Sequence, residues 1–302
     1  MSSIRYRPDQ HTRPRHPRTI VAWLVLAVLV GTFAMRPGDA TAAPSVTALP
    51  RAHAHNDYLH DRPLYDALAQ GFTSVEADVY PLVFGELPVG HFPWDIRPQR
   101  TLRSLYLDPL RQLVADNHGT VIPGYDGEFQ LLIEIKWDAT GAYRELEKLL
   151  GDPRYDGLFT RYVDGRVIPG PVTVSLLTAF ISGTELRATM AAQTTRSAFL
   201  VGTPGELGNG IPATLMPEIN ADWTTLFRWH GEGLMPDNER RALIDLVDRA
   251  HREGKRIRFW GVPDQPGAAR KALWDTQFDT RVDRLATDHP ADLAAYLHSR
   301  TP

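Results

Sequence analysis

"SVEADVY", residues 74–80, breaks the pattern of an ordinary buried strand. Successive side chains of a strand point to opposite faces, so Val75, Ala77 and Val79 share one face and Glu76 and Asp78 the other. Carboxylates seldom sit mid-strand in a buried sheet unless they are paired or bind a cation. The break recurs in "LLIEIKW" (131–137), where Glu134 and Lys136 share a face opposite Ile133, Ile135 and Trp137. Taken alone, each pair is also compatible with a buried structural ion pair. Two ionic pairs on two inner strands read as a site.

Working outward, short β-branched or aromatic runs alternate with helical patterns. The strand candidates are 48–54, 74–80, 129–137, 172–180, 197–202, 214–219, 256–262 and 282–289. Helices are expected at 63–70, 104–117, 140–150, 183–193 and 237–253, the last with apolar residues spaced three and four apart. Eight strands alternating with helices predict a TIM-type (β/α)8 barrel, an α/β fold whose chemistry sits at the C-terminal ends of its strands. An open doubly wound sheet is the alternative, but no glycine-rich phosphate turn follows the first strand.

Residues 1–42 read as a secretory signal peptide. Five arginines against one aspartate precede the uncharged "IVAWLVLAVLVGTFAM" (20–35), and "ATA" (40–42) supplies a small-x-small cleavage site. The alternative is an uncleaved membrane anchor, since 16 residues fall a little short of a span. The expected mature chain, 43–302, is one domain that is secreted and monomeric. Loss of six arginines and two aspartates takes its formal charge from −3 to −7. That acidity gives no global electrostatic reason to bind nucleic acid or an anionic membrane. There are no cysteines, so disulfides and thiolate metal sites are excluded and the core must carry stability.

Three hard carboxylates, Glu76, Asp78 and Glu134, suit Mg²⁺ or Ca²⁺ better than Zn²⁺. The histidine-rich "RAHAHNDYLHDRP" (51–63) offers a rival reading, with His53, His55 and His60 as Zn²⁺ ligands. The other strand ends do not supply the extra His and Asp that such a site needs. "FGELPVGHFPWD" (84–95) reads as a hairpin turning at Gly85, which brings His91 back over the Glu-x-Asp pair. A histidine on each side of a bound cation is what in-line phosphoryl transfer requires: one takes a proton, the other gives one.

At this point the blocks resemble a known family. "HNDYLHDRPLYDALAQGFTSVEADV", "ELPVGH", "TLRSLYLDPL", "LLIEIK", "IRFWGVPD" and "LATDHPADL", in that order, are similar to the PLC-like phosphodiesterase superfamily. That superfamily includes glycerophosphodiester phosphodiesterases and phosphatidylinositol-specific phospholipases C. Within it, the chain most resembles the branch described as altered inheritance of mitochondria protein 6, from about residue 51 to 295. The resemblance implies His55 and His91 as the acid/base pair, Glu76, Asp78 and Glu134 as metal ligands, Asn56 as a further ligand, and Lys136 beside the phosphate. It implies a small-molecule or lipid phosphodiester substrate and peripheral membrane contact. Glycerophosphodiester phosphodiesterases usually show His-Arg and His-Asp where this chain has His55-Asn56 and His91-Phe92. Those departures put the glycerophosphodiester substrate in doubt more than the chemistry. His53 competes with His55 for the first role.

Five features stay open. Trp260 reads as a substrate platform or as part of an aromatic layer. Arg258 reads as a phosphate contact or as a partner of Glu218 or Asp288. Asp57 either orients an imidazole or caps the first loop, and Asp288 reads as structural. "WTTLFRWHGEGLMP" (223–236) is expected to be a packed loop, with a lid or lipid-facing patch as its alternative. The expected function is an exported, metal-dependent phosphodiester hydrolase. Its rivals are a barrel that binds phosphate or lipid without turnover, and a Zn²⁺ hydrolase built on His53 and His55.

Overall fold

In the computed structural model, which describes residues 46–81, 83, 85–178 and 184–300, all eight expected strands are present. The expected leader lies outside the described residues. The strands are β1 (Leu49–Ala54), β2 (Phe72–Val79), β3 (Phe129–Ile135), β4 (Val172–Thr178), β5 (Ala198–Gly202), β6 (Glu218–Asp222), β7 (Arg256–Trp260) and β8 (Leu285–Thr287). They form one parallel sheet in the order β7-β6-β5-β4-β3-β2-β1-β8. A parallel bridge between Arg258 and Arg284 joins its two ends. The sheet is therefore a nearly closed eight-stranded barrel, and the doubly wound alternative falls away. Residues 44–302 form one compact unit.

Helices α1 (Tyr65–Ala69), α2 (Asp108–Asp116), α3 (Ala139–Leu150), α4 (Thr184–Ala191), α5 (Trp223–Leu226), α6 (Asp237–Arg252), α7 (Ala268–Asp279) and α8 (Pro290–Arg300) cover the outside. Covered by helices outside and filled inside, every residue of β2 is buried. Three helices, the short α5 together with α7 and α8, go beyond the sequence expectation. The inner side of α7 includes Arg270 and Gln277 beside Leu273 and Trp274, so no clean apolar stripe announces it. Between β5 and β6 the crossover carries only a 3₁₀ turn (Pro204–Glu206). A small antiparallel sheet of strands 161–163, 166–168 and 195–196 is also added outside the barrel. No helix of the described residues is long and apolar enough to cross a membrane.

The lower barrel interior is a connected polar network centred on Glu218 Oε2. Glu218 accepts from Arg256, Arg284 and Gln130, at 3.3, 3.2 and 3.1 Å. Gln130 also donates to Ser175 (3.0 Å) and accepts from Ser74 (2.7 Å). Ser74 gives its only proton to Gln130, so at 2.6 Å it accepts one from His53 Nδ1. This chain rises from the barrel floor to Glu76 and sets the height of the carboxylates above it.

The segment 223–236 is packed, as expected, but it opens with the helical turn α5 and only then becomes a loop. Trp223, Phe227, Trp229 and Met235 are buried, and Trp223 meets Phe259 edge to face at 5.4 Å. Leu226 and Leu234 are its exposed apolar side chains, Leu234 at 96%. Trp137 corrects the alternation expected for 131–137: it lies just past the end of β3 and is 66% exposed, where the pleat no longer governs it.

Candidate active site

Parallel pairing of β2 with β3 sets Asp78 beside Glu134. Glu76 lies two residues before Asp78 on the same face. One oxygen from each of the three carboxylates lies within 4.8 Å of the others, the convergent group of cation ligands among the described residues. Lys136 bridges two of them, its Nζ donating to Asp78 Oδ2 at 2.8 Å and to Glu134 Oε2 at 2.9 Å. Glu76 has its own buried cation: Arg258 Nη1 lies 2.9 Å from Glu76 Oε2. That partner is neither Glu218 nor Asp288, the two considered from sequence. Arg256 and Arg284 hold Glu218 through its Oε2, and Arg258 stands one pleat higher.

The carboxylates fit a divalent cation on two observations. Asp78 Oδ1 is buried without a hydrogen-bond partner. Burial and the negative charge of Asp78 push the Glu134 carboxyl up to about 7, against the opposing pull of Lys136. A cation would satisfy the first and relieve the second, and an all-oxygen donor set suits a hard ion.

Two histidines flank this cluster. His55 follows the last residue of β1, and its Nδ1 lies 2.8 Å from Asp288 Oδ1. Burial disfavours the imidazolium, but the hydrogen bond to Asp288 and the charge of Glu76 outweigh it, so the pKa of His55 is raised. His91 arrives on the hairpin: Val83 pairs with Glu86 and Val79 with Val89, with Gly85 at φ +81° in the turn. Gly90 N donates to Asp78 O at 3.1 Å, which returns the strand to the metal-ligand level. His91 Nδ1 lies 3.0 Å from Asp78 Oδ2. With both Nδ1 atoms held, Nε2 is the nitrogen each ring offers to a substrate.

Tyr58 and Asn56 fill the space between. Tyr58 is buried and donates to Asp78 Oδ2 at 2.6 Å; its Oη lies 3.1 Å from His91 Nδ1. Asn56 takes up the left-handed conformation, φ 50°, that asparagine tolerates. Its amide contacts both Tyr58 Oη (2.9 Å) and His55 Nδ1 (3.0 Å). The expected site residues His55, Asn56, Glu76, His91, Glu134 and Lys136 line one cavity of about 680 Å³, with Trp260 and Arg258 on its wall. Asp78 lies beneath it, fully buried.

The zinc-type grouping does not form. His53 is 0% exposed, wedged between Ser74, Glu76 and Arg258. Burial and the Arg258 charge hold its pKa down to about 3. A neutral ring whose Nδ1–H goes to Ser74 leaves Nε2 to accept from Arg258, so neither nitrogen is free for a metal. His60 turns instead toward Asp57, 3.5 Å away. Asp57 is tied into the first loop, accepting from Leu64 N (2.6 Å) and Tyr106 Oη (2.9 Å). Of the two readings offered for it, the loop cap is the one the contacts favour.

Three site residues lay beyond the sequence reading: Tyr58, Arg258 as the partner of Glu76, and Asp288 on His55. Tyr58 and Asp288 stand inside quoted motifs, and Asp288 follows β8 directly, beside β1 once the barrel closes.

The chain has recognisable relatives. A sequence model of the AIM6-like phosphodiesterase domain matches residues 43–200. "Altered inheritance of mitochondria protein 6" of Eremothecium gossypii is 31% identical over 278 residues, covering 83% of this chain and 71% of that protein. The homolog from Arthroderma benhamiae is 28% identical over 261 residues, covering 78% and 80%. Among solved structures, a putative glycerophosphoryl diester phosphodiesterase from Silicibacter pomeroyi aligns with a TM-score of 0.49 at 16% identity. That alignment covers 85% of this chain and 95% of the other.

Proposed function

Because the chain belongs to the AIM6-like phosphodiesterase family, we propose that it is an exported phosphodiester hydrolase dependent on a divalent cation, Mg²⁺ or Ca²⁺. The observation that carries this reading is the arrangement of His55 and His91. Each has Nδ1 fixed by a carboxylate, and both line the cavity above Glu76, Asp78 and Glu134. A cation held by those three carboxylates, with Asn56 beside them, supplies neutralisation of charge on the phosphate oxygens. Lys136, already clamped between Asp78 and Glu134, adds a fixed positive charge at the same place.

The histidines move the protons. One takes a proton from the attacking hydroxyl, the other delivers one to the departing alcohol. Asp288 and Asp78 keep each ring in one tautomer and one orientation throughout. A hydroxyl of the substrate as nucleophile gives a cyclic phosphate, and a water gives the open monoester. The leader-like segment 1–42 supports export.

A lipid phosphodiester is the substrate class favoured by the surroundings of the cavity. Exposed large apolar side chains follow the C-terminal strand ends, Leu59, Phe92, Trp94, Trp137 and Leu234, and Trp260 is itself the last residue of β7. Phe92 and Trp94 directly follow the His91 strand and stack at 4.7 Å. Trp137 adjoins Lys136. Such side chains favour contact with an apolar or interfacial partner.

The test is hydrolysis of a chromogenic phosphodiester panel with Mg²⁺, Ca²⁺ or Zn²⁺, beside His55→Ala and His91→Ala. Each variant is expected to lose on the order of 10²-fold or more in kcat. Activity indifferent to His91→Ala would sink the two-histidine mechanism. No turnover of any diester with any metal would favour the barrel that binds without turnover.

A further inference from the structure

The floor of the cavity carries a specific sum of charge. Glu76, Asp78 and Glu134 contribute three negative charges when ionised, and Lys136 and Arg258 two positive ones. Arg187 and Glu206, also on the cavity lining, pair with each other and cancel. The net charge around the cation position is therefore −1.

Arg258 is a fixed part of this sum. It is 1% exposed although it stands on the cavity wall, because its guanidinium is turned onto its protein partners. Its Nε donates to Asn220 Oδ1 at 3.2 Å, from the residue paired with it across β6 and β7. Its Nη1 is bound to Glu76 and to His53. Lys136 is clamped between Asp78 and Glu134, and Arg258 is held at both ends, by Asn220 on one side and by Glu76 and His53 on the other. A divalent ion brought to Glu76 must share that carboxylate with a guanidinium already in contact with it.

We propose that Arg258 is a built-in counter-charge that makes the divalent cation and the phosphodiester anion bind interdependently. The inference rests on the reading of the site as a cation-dependent phosphodiesterase. With Arg258 and Lys136 in place, a lone divalent cation turns the floor from −1 to +1, and that excess charge, desolvated in the barrel, weakens its binding. A phosphodiester monoanion restores neutrality. The cation strengthens the anion by the same factor as the anion strengthens the cation, because coupling is reciprocal. Glu76 thus has two cationic partners by design of the fold, one permanent and one that arrives with the substrate.

The experiment reads binding and not turnover. Mn²⁺ is titrated into the metal-free full chain near pH 8, free ion being followed by electron paramagnetic resonance, with and without dimethyl phosphate. In the wild type, saturating dimethyl phosphate is expected to tighten Mn²⁺ on the order of tenfold or more. Arg258→Gln is expected to bind Mn²⁺ alone about tenfold tighter than wild type, and to gain less from the diester. Wild-type Mn²⁺ affinity that ignores dimethyl phosphate would overturn the inference without any variant. Coupling that survives unchanged in a folded Arg258→Gln, checked by circular dichroism and a cooperative melt, would overturn the role of Arg258. In either case bound Mn²⁺ leaves the phosphodiesterase reading standing. Absence of Mn²⁺ binding with and without the diester would instead remove both.

Discussion

Asp288 Oδ1 lies 2.8 Å from His55 Nδ1, a contact that ties the end of the eighth strand to the end of the first. The carboxylate itself is anchored from behind. Asp264 accepts from Asp288 N at 2.9 Å and from Thr287 Oγ1 at 2.7 Å, which fixes the turn that carries it. An imidazole so held keeps its proton on Nδ1 and presents Nε2 to the cavity.

Asp288→Asn removes the charge that favours the His55 imidazolium while keeping the shape. It is expected to lower kcat on the order of 10²-fold with KM changed little, because ring orientation and basicity are lost but not the substrate-binding surfaces. The limb of the pH–rate profile that belongs to His55 should move to lower pH, since Asp288, together with Glu76, raises its pKa against burial. Steady-state kinetics across pH decide this; a KM effect alone would make Asp288 a substrate contact.

His53 and His55 should part company in their variants. His53→Ala leaves Ser74 and Arg258 facing a void in the barrel, and an opened buried polar network costs about 2–4 kcal/mol. His55 stands at the cavity edge, so His55→Ala should leave the thermal midpoint nearly unchanged and abolish turnover. Paired melts and assays of the two variants check this. A stable, inactive His53→Ala would reverse the assignment.

Acid stability should depend on Glu218. Arg284, Arg256 and Arg258 overcome its burial and hold its carboxyl at about 2, below the ordinary 4.5. A depressed pKa stabilises the fold above the unfolded value, and that stability drains away as pH falls from about 4.5 to about 2. The group accounts for on the order of 3 kcal/mol over that window. Urea unfolding at steps of pH should show the loss in wild type. In Glu218→Gln the slope should be shallower and the starting stability lower, because Arg256 and Arg284 then keep Glu128 as their carboxylate partner but lose the buried one.

The rim side chains should separate lipid from soluble substrates. Trp94 is 70% exposed and Trp137 66%, so serine at both positions costs the fold little. The partition coefficient onto phosphatidylcholine vesicles, read by sedimentation, is expected to fall on the order of 30-fold or more in the double variant, at about 1–2 kcal/mol per buried tryptophan. Turnover of a soluble chromogenic diester should be unaffected. Equal loss on both would place these side chains in the site itself.

What was legible in the sequence was local. The eight strands announce themselves as short apolar runs, and the i, i+2 spacing of Glu76 with Asp78 and of Glu134 with Lys136 declares a shared face. The Asp164-Gly165 pair carries an equally local hairpin signal. Both residues have positive φ, 46° and 86°, as a tight hairpin requires, and the outer antiparallel sheet grows from it. What was not legible depends on closure. Asp288 meets His55 across 233 positions and Arg258 meets Glu76 across 182. No periodicity encodes which arginine on β7 rises to the carboxylates and which stays with Glu218; the barrel's stagger decides it.

That same crowding of charge gives a pH signature for the metal-free protein. Burial and the negative charge of Asp78 raise the Glu134 carboxyl to about 7, Lys136 notwithstanding. A carboxyl that keeps its proton longer in the folded state stabilises the fold fully below about pH 4.5, and that contribution is lost as pH rises towards 7. Glu134 is only partly buried, so the loss is discounted to on the order of 1–2 kcal/mol. In EDTA, unfolding free energy should therefore decline between about pH 4.5 and 7. Saturating divalent cation should remove the decline, because the ion takes over the role of the proton, and Glu134→Gln should remove it in EDTA as well. Denaturant melts of both proteins, with and without metal, test all four cases. A decline in EDTA that persists in Glu134→Gln would assign the signature to another group.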